Sequence, residues 1–361
     1  MKALIISGAI LDVSPYAFLY TSHLQKFGAQ IEIAVWDRRG NESIQDKSIK
    51  FHVFSSAIDN SIPKIQKLRP FLAFRRFLKR ILAHEQYDLV IALDTQFAVL
   101  ISDILFRDYP GRFIYDMRDL SYEGFGFYLK RMNQLVAKSA LTFVSSDGYR
   151  QFFTDNSKVF TLHNYQEADL IYANLKKPIE KKAPIRLSYW GLVRDFELNR
   201  QIVDLIADDR RFVLTFHGES MDGNLLKQYV EQKAYSNIFF TGYYTQDQRA
   251  AFAENADLLH NIYSNEGDVG NPAMGNKFYD GIIFKIPQIC LSGGFMGQKA
   301  EEKQVGICCR IDESLPDTLY SYYTTLDVHA FRDSCDKALS EVLEEQSRSL
   351  EQLHRVIASC G

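Results

Sequence analysis

Short apolar runs, often β-branched, alternate along the chain with segments whose apolar residues recur at helical spacing. Residues 3–7 and 31–35 are typical of strands, and residues 16–27 are typical of a helix that ends at Gly28. The same pattern predicts further strands at 89–93, 113–115, 141–144, 159–162, 185–190, 212–216, 238–241, 258–261, 288–291 and 307–309. Further helices are predicted at 198–206, 225–232, 246–255 and 331–357. This alternation is typical of parallel sheets built from βαβ units.

One polar segment interrupts the alternation. Residues 175–184 hold four lysines and two prolines without an apolar period, so we place an interdomain linker there. A chain of 361 residues is long enough for two domains with separate cores. The predicted fold class is therefore α/β, with two tandem Rossmann-like domains at residues 1–175 and 185–361. In such sheets ligands bind beyond the carboxyl ends of the strands, so we expect the site in a cleft between the domains.

Composition and charge narrow the class of protein. Apolar residues make up 46% of the chain and charged residues 24%, which argues against a disordered or coiled-coil protein. Residues 1–165 hold 21 basic and 16 acidic side chains, a net charge of +5, whereas residues 166–361 hold 21 and 29, a net charge of −8. Only the first half therefore attracts an anionic surface.

The cysteines and the apolar runs predict the compartment. The five cysteines form no Cys-x-x-Cys pair and leave an odd one, which is typical of free thiols in a reducing compartment. The apolar run at the N-terminus is short and lacks a signal-peptide cleavage site. No uninterrupted apolar run reaches the roughly 18 residues of a membrane span. We expect a cytoplasmic protein.

Residues 270–281 carry the clearest candidate chemistry. A glycine-rich loop opens a predicted helix whose first turn carries Lys277, and Asp280 follows three residues later. Backbone amides at a helix start, together with a lysine, bind phosphate oxygens, and a carboxylate one turn further can accept hydrogen bonds from ribose hydroxyls. The pattern favours a nucleoside diphosphate ligand. The alternative is a capped surface helix with a solvated lysine and aspartate.

The same residues resemble a motif of a known enzyme family. Asn276, Lys277, Phe278 and Asp280, followed by Lys285-Ile286-Pro287, resemble the Pro-Asn-Lys-Phe-Glu-like and Gly-x-Pro segments of bacterial glycosyltransferases with the GT-B fold. These are retaining enzymes of the Glu-x7-Glu superfamily, which assemble capsule, exopolysaccharide or O-antigen. The resemblance implies that Asp280 holds the donor ribose, with Asn276 and Phe278 in the nucleotide site. The chain is a divergent form, because Pro272 stands eight residues before Asp280.

A second turn is similar to the same family. Residues 188–194 end in Gly191-Leu192-Val193-Arg194, which resembles the strand-Gly-x-x-Arg turn that presents an arginine to the donor diphosphate. A guanidinium holds two phosphate oxygens at once and stays charged, which suits this role. The alternative for a lone arginine after a strand is a surface charge. The remaining predicted nucleotide contacts are Gly191, Gly242 and either Tyr243 or Tyr244.

The first half carries further family-like segments. Residues 115–120 resemble the Asp-x-Arg-Asp loop that faces the cleft in polysaccharide-assembly transferases, which makes Asp119 a candidate catalytic residue. Should the reaction invert the anomeric configuration, a base is needed, and the candidates are Asp119, Glu123 and Asp12. The alternative is that Asp116 and Asp119 simply pair with Arg118. We expect Gly8 to make room for an acceptor.

Residues 61–84 predict a basic amphipathic helix. This segment has no acidic residue, and its cations are Lys64, Lys67, Arg69, Arg75, Arg76, Lys79 and Arg80. Such a helix is typical of a protein that rests on an anionic membrane, so we expect membrane contact through residues 64–80. The alternative is an ordinary domain helix whose apolar stripe packs on the sheet. No nucleic-acid recognition motif accompanies the charge, so we expect no nucleic-acid partner.

Other chemistries find no support in the sequence. The histidines show no metal-ligand spacing, and there is no Gly-x-Ser-x-Gly elbow, phosphate loop or dinucleotide fingerprint. We expect no metal and no cofactor. The predicted function is transfer of a sugar from a nucleotide-diphosphate donor to a lipid-linked or saccharide acceptor, at the inner face of the plasma membrane. The alternatives are a nucleotide-sugar epimerase, a non-catalytic membrane-recruiting subunit and a polyanion binder.

Overall fold

The chain forms two compact units. The structure is a computed structural model, and it describes residues 1–8, 15–38, 49–56, 64–174, 181, 183–264 and 272–361. The first unit consists of Met1–His163 together with Glu345–Gly361, and the second unit consists of Asn164–Glu344.

The first unit is built on a parallel sheet of seven strands. Its strands are β1 (Lys2–Ser7), β2 (Gln30–Asp37), β3 (Lys50–Ser55), β4 (Leu89–Leu93), β5 (Phe113–Met117), β6 (Leu141–Val144) and β7 (Val159–Thr161). Its helices are α1 (Pro15–Lys26), α2 (Lys64–His84), α3 (Thr95–Leu100), α4 (Ser102–Asp108) and α5 (Gly126–Lys138). The strand order is β3-β2-β1-β4-β5-β6-β7, so the chain leaves β1 for one side of the sheet and returns to its other side at β4.

Two apolar clusters hold this unit together. One lies on the sheet and includes Ile5, Ile33 and Ile91, which are fully buried. The other is aromatic: the ring of Trp36 lies 5.1 Å from the ring of Phe71 and 5.0 Å from that of Phe74. Burial of such rings is a large stabilising contribution, because each removes about 150–250 Å² from water.

The second unit repeats the architecture with six parallel strands. Its strands are β8 (Ile185–Trp190), β9 (Phe212–His217), β10 (Ile238–Gly242), β11 (Leu258–His260), β12 (Gln288–Leu291) and β13 (Gly306–Cys309). Its helices are α6 (Phe196–Ile206), α7 (Leu225–Lys233), α8 (Arg249–Glu254), α9 (Asn276–Ile283), α10 (Phe295–Glu302), α11 (Leu315–Thr325) and the start of α12 (Val328–Cys360). The order is β10-β9-β8-β11-β12-β13, so the change of direction falls between β8 and β11.

The predicted fold class, two α/β domains with parallel sheets, is confirmed. Each strand predicted from the sequence overlaps an observed strand, and the differences are confined to the ends. The prediction missed β3, an edge strand whose residues are all at least partly exposed and which begins with a lysine. Such a strand lacks the continuous apolar run of a buried strand, because both of its faces are partly exposed.

The division of the chain differs from the predicted domains at two places. The predicted linker, residues 175–184, lies mostly outside the described residues. The change of unit falls earlier, at Asn164, and residues 345–361 belong to the first unit although we predicted them in the second. Leu353 and Ile357, on the last turns of α12, are buried in the core of the first unit. A long polar helix does not show from its sequence which core its ends join.

Among the residues that the structure describes, no helix combines the length and the apolar character needed to cross a bilayer.

Candidate functional site

The candidate site of the second unit lies where its sheet changes direction. The adjacent parallel strands β8 and β11 end at Trp190 and His260, and the loops that follow them lead to opposite sides of the sheet. Ligands of doubly wound sheets bind at such a point because the diverging loops leave a crevice. The turn with Arg194 follows β8, and α9 with Lys277 follows β11 across residues 265–271, which lie outside the described residues.

Lys277 is a buried lysine without a hydrogen-bond partner. It is 3% exposed, and none of the described groups bonds its Nζ atom. Nζ lies 3.3 Å from the ring centroid of Tyr189 and 4.6 Å from that of Tyr263, so two aromatic faces enclose it. Burial holds the pKa of Lys277 well below its usual value; Asp280 raises this pKa and Arg194 lowers it further. An anionic ligand would therefore strongly stabilise the charged form of this amine.

Arg194 lies on the loop after β8 and is exposed. The loop begins at Gly191, whose φ of 121° favours glycine. The loop is fixed to the loop after β9, because the Gly191 amide donates to the His217 carbonyl at 3.0 Å and the Val193 amide donates to the Glu219 carbonyl at 2.8 Å. The guanidinium is near enough to Lys277 to repel its charge. The structure thus brings together the two cations that the sequence singled out.

Asn199 is a site residue that the sequence analysis missed. It is 3% exposed on α6, and its Nδ2 donates to the carbonyl of Arg194 at 2.6 Å and to that of Asp195 at 3.3 Å. Its Oδ1 accepts from Nε2 of His260 at 3.0 Å. Burial, then the charge of Lys277, lower the pKa of His260 well below its usual value, so His260 is neutral. Asn199 therefore ties the Arg194 loop to the end of β11.

Asp280 is part of a buried network. It is 2% exposed, and its Oδ2 accepts from Nε1 of Trp190 at 2.7 Å while its Oδ1 accepts from Nη1 of Arg249 at 2.8 Å. Arg249 also pairs with the buried carboxylate of Asp169. The burial of Asp280 raises its pKa, whereas Arg249 and Trp190 lower it. These contacts give Asp280 a structural role, and its contact with a donor ribose stays a prediction.

The other predicted nucleotide contacts are dispersed. Phe278 is 1% exposed and packs in the core of the unit, and its contact with a nucleotide stays a prediction. Asn276 is exposed at the start of α9 and accepts a hydrogen bond from Asn164. Gly242, with a φ of 78°, and Tyr243, 73% exposed, line a cavity of about 450 Å³ beyond the carboxyl ends of β9 and β10. Val193, the residue before Arg194, also lines this cavity.

The first unit has acidic side chains where its own sheet changes direction. The alternative that Asp116 pairs with Arg118 is what the structure shows, since Asp116 is fully buried and its Oδ1 lies 2.6 Å from Nε of Arg118. Asp119 is exposed, and Glu123 accepts from the Ser121 amide at 2.5 Å. Asp12 lies outside the described residues.

Asp94 was not singled out from the sequence, although it follows β4 directly. Its φ of 71° is uncommon outside glycine, and such strained positions cluster at functional sites. Burial, with the charges of Asp119 and Asp116, raises the pKa of Asp94 to about 6. Asp94 is distinguished only by its positive φ at the end of a central strand. That backbone geometry is not visible in the sequence.

For two expectations about the first unit, the structure provides another explanation of the sequence pattern. A Cβ atom on Gly8 would lie 1.8 Å from the ring of Phe97, so this glycine makes room for a core side chain, and its contact with an acceptor stays a prediction. The apolar stripe of α2 is packed inside the unit: Phe74 and Leu78 are fully buried. Arg75 forms two 2.7 Å hydrogen bonds with Asp103. Helix α2 therefore packs its apolar stripe as an ordinary domain helix does, and membrane contact through residues 64–80 stays a prediction. The side chains of Lys64 and Lys67 lie outside the described residues.

Within the described part of the chain, no three His, Cys, Asp or Glu side chains are grouped closely enough to hold a metal ion.

The comparisons with known proteins concern the fold. No family model and no curated protein matches the sequence. The chain is similar to HepE of Anabaena, solved in complex with UDP and glucose, with a TM-score of 0.65, 13% identity, and coverage of 98% of this chain and 99% of that chain. It is similar to WaaG, a glycosyltransferase involved in lipopolysaccharide biosynthesis, with a TM-score of 0.62, 12% identity and 99% coverage of both chains.

A third similar structure is α,α-trehalose 6-phosphate synthase from Burkholderia multivorans, with a TM-score of 0.68, 11% identity, and coverage of 99% of this chain and 97% of that chain. Similarity over the whole length at such low identity concerns the fold alone. The chain has the GT-B fold, as the sequence resemblance implied.

Proposed function

We propose that this protein is a glycosyltransferase that uses a nucleotide-diphosphate sugar as donor. The observation that carries the proposal is the buried amine of Lys277 at the point where the sheet of the second unit changes direction: among the described residues it has no hydrogen-bond partner, and the charge of Arg194 lowers its pKa. A buried amine near a second cation is unfavourable in its charged form unless an anionic ligand joins the two. A diphosphate can accept hydrogen bonds from both side chains and neutralise their charges.

The two cations act on the leaving group. When the bond between the anomeric carbon and the β-phosphate oxygen breaks, negative charge builds up on the diphosphate. Arg194 binds two phosphate oxygens and Lys277 a third, and they stabilise this charge in the transition state. The acceptor oxygen bonds to the anomeric carbon, and its proton passes to a phosphate oxygen or to a carboxylate. This arrangement lets the reaction proceed without a divalent metal or any other cofactor, and we propose retention of configuration as the resemblance implies.

The nucleotide occupies the carboxyl edge of the second unit in this proposal. The cavity of about 450 Å³ is lined by Tyr243 and Gly242, and an exposed aromatic face suits stacking against a base. Two fold relatives support a nucleotide-sugar donor, since HepE is solved with UDP and WaaG is a glycosyltransferase. The role of WaaG in lipopolysaccharide assembly also supports an acceptor that is lipid-linked or a saccharide in surface polysaccharide synthesis.

In the first unit we propose Asp94 and Asp119 as the groups that meet the acceptor. A carboxylate orients a sugar hydroxyl by accepting a hydrogen bond from it, and Asp94, whose pKa burial raises to about 6, is mostly ionised at neutral pH. With retention of configuration, Asp94 orients the acceptor and does not act as the base. Asp119 is exposed and its charge contributes to this shift.

A thermal-shift titration with UDP, GDP and ADP tests the donor site. We expect one of them to raise the melting temperature of the wild type, and Arg194→Ala and Lys277→Met to reduce this shift. Arg310→Ala is the matched control, because Arg310 is an exposed arginine of the same unit. Shifts of wild-type size in both site variants would refute the assigned roles.

Turnover separates the transferase from the alternatives. With the donor identified, incubation with the nucleotide sugar alone leaves it unchanged apart from slow hydrolysis if the protein is a transferase. An epimerase converts the donor without an acceptor, and a non-catalytic subunit shows neither donor binding nor turnover.

A further inference from the structure

Three aromatic side chains of the first unit are exposed on one short stretch of chain. Tyr122, Phe125 and Phe127 expose 42%, 68% and 73% of their surface. Phe127 is the second residue of α5, and the other two lie in the segment just before it. Large apolar side chains scattered singly on a surface are ordinary, but adjacent ones mark interaction sites.

Basic side chains are interleaved with these rings. Helix α5 carries Lys130, Arg131 and Lys138 and no acidic residue. The guanidinium of Arg131 lies 5.6 Å from the ring centroid of Phe127 and 5.6 Å from that of Phe106. Nζ of Lys138 lies 5.2 Å from the Phe106 ring. We call the exposed side formed by Tyr122, Phe125, Phe127, Lys130, Arg131 and Lys138 the α5 surface.

The opposite side of α5 anchors the helix. Met132, Leu135 and Val136 are buried, so the fold does not need the α5 surface for its own packing. The acid within this stretch, Glu123, is partly buried and accepts a hydrogen bond from the Ser121 amide at 2.5 Å, and the neighbouring acid Asp108 pairs with Arg107 at 2.6 Å. Asp119 is exposed before the stretch. On α5 itself the exposed charges beside the aromatic tip are all positive.

We propose that the α5 surface docks on an anionic lipid bilayer. Aromatic side chains are favourable at the level of the lipid headgroups, and lysine and arginine beside them are attracted to anionic headgroups. This surface takes the place of residues 64–80, because the apolar side of α2 is packed inside the unit. The proposal does not depend on the proposed catalysis, since docking is measured without donor or acceptor.

A second copy of the chain fits the surface less well. With about 200 Å² for each ring, the three exposed fractions together amount to roughly 400 Å². A stable dimer buries about 800 Å² on each partner and avoids facing two like-charged surfaces. Three cations on one helix would repel their copies across such an interface.

Co-sedimentation with vesicles tests the proposal. One set of vesicles contains equal parts of phosphatidylglycerol and phosphatidylcholine, and the other contains phosphatidylcholine alone. We expect the wild type to sediment with the anionic set only, and Phe125→Ser/Phe127→Ser to lower its vesicle affinity on the order of tenfold. Lys130→Gln/Arg131→Gln weakens the binding and its salt dependence. Phe125, Phe127 and Lys130 are exposed and Arg131 is partly exposed, so we expect these variants to fold.

Two control variants locate the contact. Phe239→Ser removes a half-exposed ring of the second unit, and Arg76→Gln/Lys79→Gln/Arg80→Gln removes exposed charges of α2. Both are expected to bind anionic vesicles more tightly than the Phe125/Phe127 variant. Equal loss in the α2 variant, or wild-type binding by the Phe125/Phe127 variant, would overturn the proposal. So would wild-type sedimentation that does not depend on phosphatidylglycerol, or a dimer in solution that only the Phe125/Phe127 variant dissociates.

Fluorescence provides a second readout. The native Trp36 and Trp190 are buried, whereas a tryptophan in place of Phe127 is exposed in solution. The emission of Phe127→Trp is expected to shift to shorter wavelength when anionic vesicles are added, and that of Phe239→Trp is expected to stay constant. The absence of a shift in the first variant would contradict insertion at this surface.

Discussion

At the scale of single residues, Lys277 has unfavourable surroundings for a charge. Its amine is buried against Tyr189 and Tyr263. Among the described carboxylates, Asp280 raises its pKa, and Asp280 is already bonded to Trp190 and Arg249. A buried polar group without a partner costs stability, and proteins keep such groups at functional sites. The buried amine therefore destabilises the ligand-free protein, and a bound anion removes this destabilisation.

Lys277→Met is therefore expected to stabilise the ligand-free protein while it weakens donor binding. Methionine fills the space between the two rings without a polar atom, and we expect the free energy of unfolding to rise by about 1 kcal/mol. Loss of a charge-assisted hydrogen bond lowers the affinity for the nucleoside diphosphate by roughly tenfold to a hundredfold. Urea unfolding and calorimetric titration measure the two quantities. A variant that is less stable than wild type yet binds the nucleotide equally well would contradict both roles.

Donor binding is also expected to weaken as pH rises. Burial lowers the pKa of Lys277 in the free protein, and a bound diphosphate raises it, so binding takes up a proton at pH values between the two. Tyr189, Tyr263 and Cys290 face the amine with raised pKa values, and His260 is neutral. Above about pH 7.5, where phosphate and histidine have titrated, Lys277 is the group that responds.

Calorimetry in buffers of different ionisation enthalpy measures this proton. We expect the wild type to take up as much as one proton per nucleotide bound and Lys277→Met to take up none. Affinity that is constant with pH in the wild type, or uptake that persists in the variant, would show that another group titrates.

At the scale of elements, hydrogen bonds between loops fix the candidate site. The loop after β8 is held by backbone hydrogen bonds to the loop after β9 and by the side chain of Asn199 on α6. Gly218, with a φ of 138°, allows this approach, since a Cβ atom there would lie 1.9 Å from the Gly191 carbonyl oxygen. The position of Arg194 therefore follows from three neighbouring elements rather than from its own segment.

Asn199→Ala is expected to lower both stability and donor affinity. The change leaves the Arg194 carbonyl and Nε2 of His260 without their partner, which costs about 1–3 kcal/mol of stability. Because Arg194 then loses its fixed position, combining this change with Arg194→Ala reduces nucleotide affinity by less than the sum of the two single effects. A double-mutant cycle on nucleotide binding measures this coupling.

Asn237→Ala is the matched control for that experiment. Asn237 also bonds three backbone carbonyls, those of Ile206, Asp209 and Phe212, but it lies at the amino end of β10, away from the site. We expect Asn237→Ala to lose as much stability as Asn199→Ala, with no change in its affinity for the nucleotide. If both asparagine variants lose affinity equally, the effect of Asn199 is a general loss of stability.

At the scale of the whole molecule, the chain divides into two units whose order does not follow the sequence. Residues 345–361 complete the first unit, and Leu353 and Ile357 are buried in its core. The proposed donor groups Lys277 and Arg194 belong to the second unit, whereas the α5 surface and Asp94 belong to the first. A change in one core should therefore leave the functions of the other unit intact.

Leu353→Ala tests this independence. Removing a fully buried leucine destabilises the first unit by about 2–5 kcal/mol. Nucleotide affinity at a temperature where the protein stays folded is expected to match that of the wild type. Arg355→Ala, an exposed position on the same helix, is the control and should change neither property. A loss of nucleotide binding in Leu353→Ala alone would show that the second unit depends on the first.

Periodicity was enough to predict most of the elements. Buried parallel strands such as Leu89–Leu93 and Ile185–Trp190 are continuous apolar runs, and the helices between them are amphipathic. The edge strand β3 was missed because partial exposure on both faces leaves no such run. Helix α2 was ambiguous because one apolar stripe suits a bilayer and a sheet equally well, and only the structure shows that this stripe contacts Trp36.

The local residue pattern of this protein by itself determined the alternation of strands and helices, the parallel sheets and the two cations worth testing. The tertiary structure alone decided that Lys277 is buried with no hydrogen-bond partner in the described part of the chain, that Asp280 is bonded by Trp190 and Arg249, and that the last turns of α12 join the first unit. The physical reason is the range of the interactions. Hydrophobic periodicity acts between near neighbours in sequence, whereas burial and hydrogen-bond partners depend on residues such as Trp190 and Asp280, which meet only after the chain has folded.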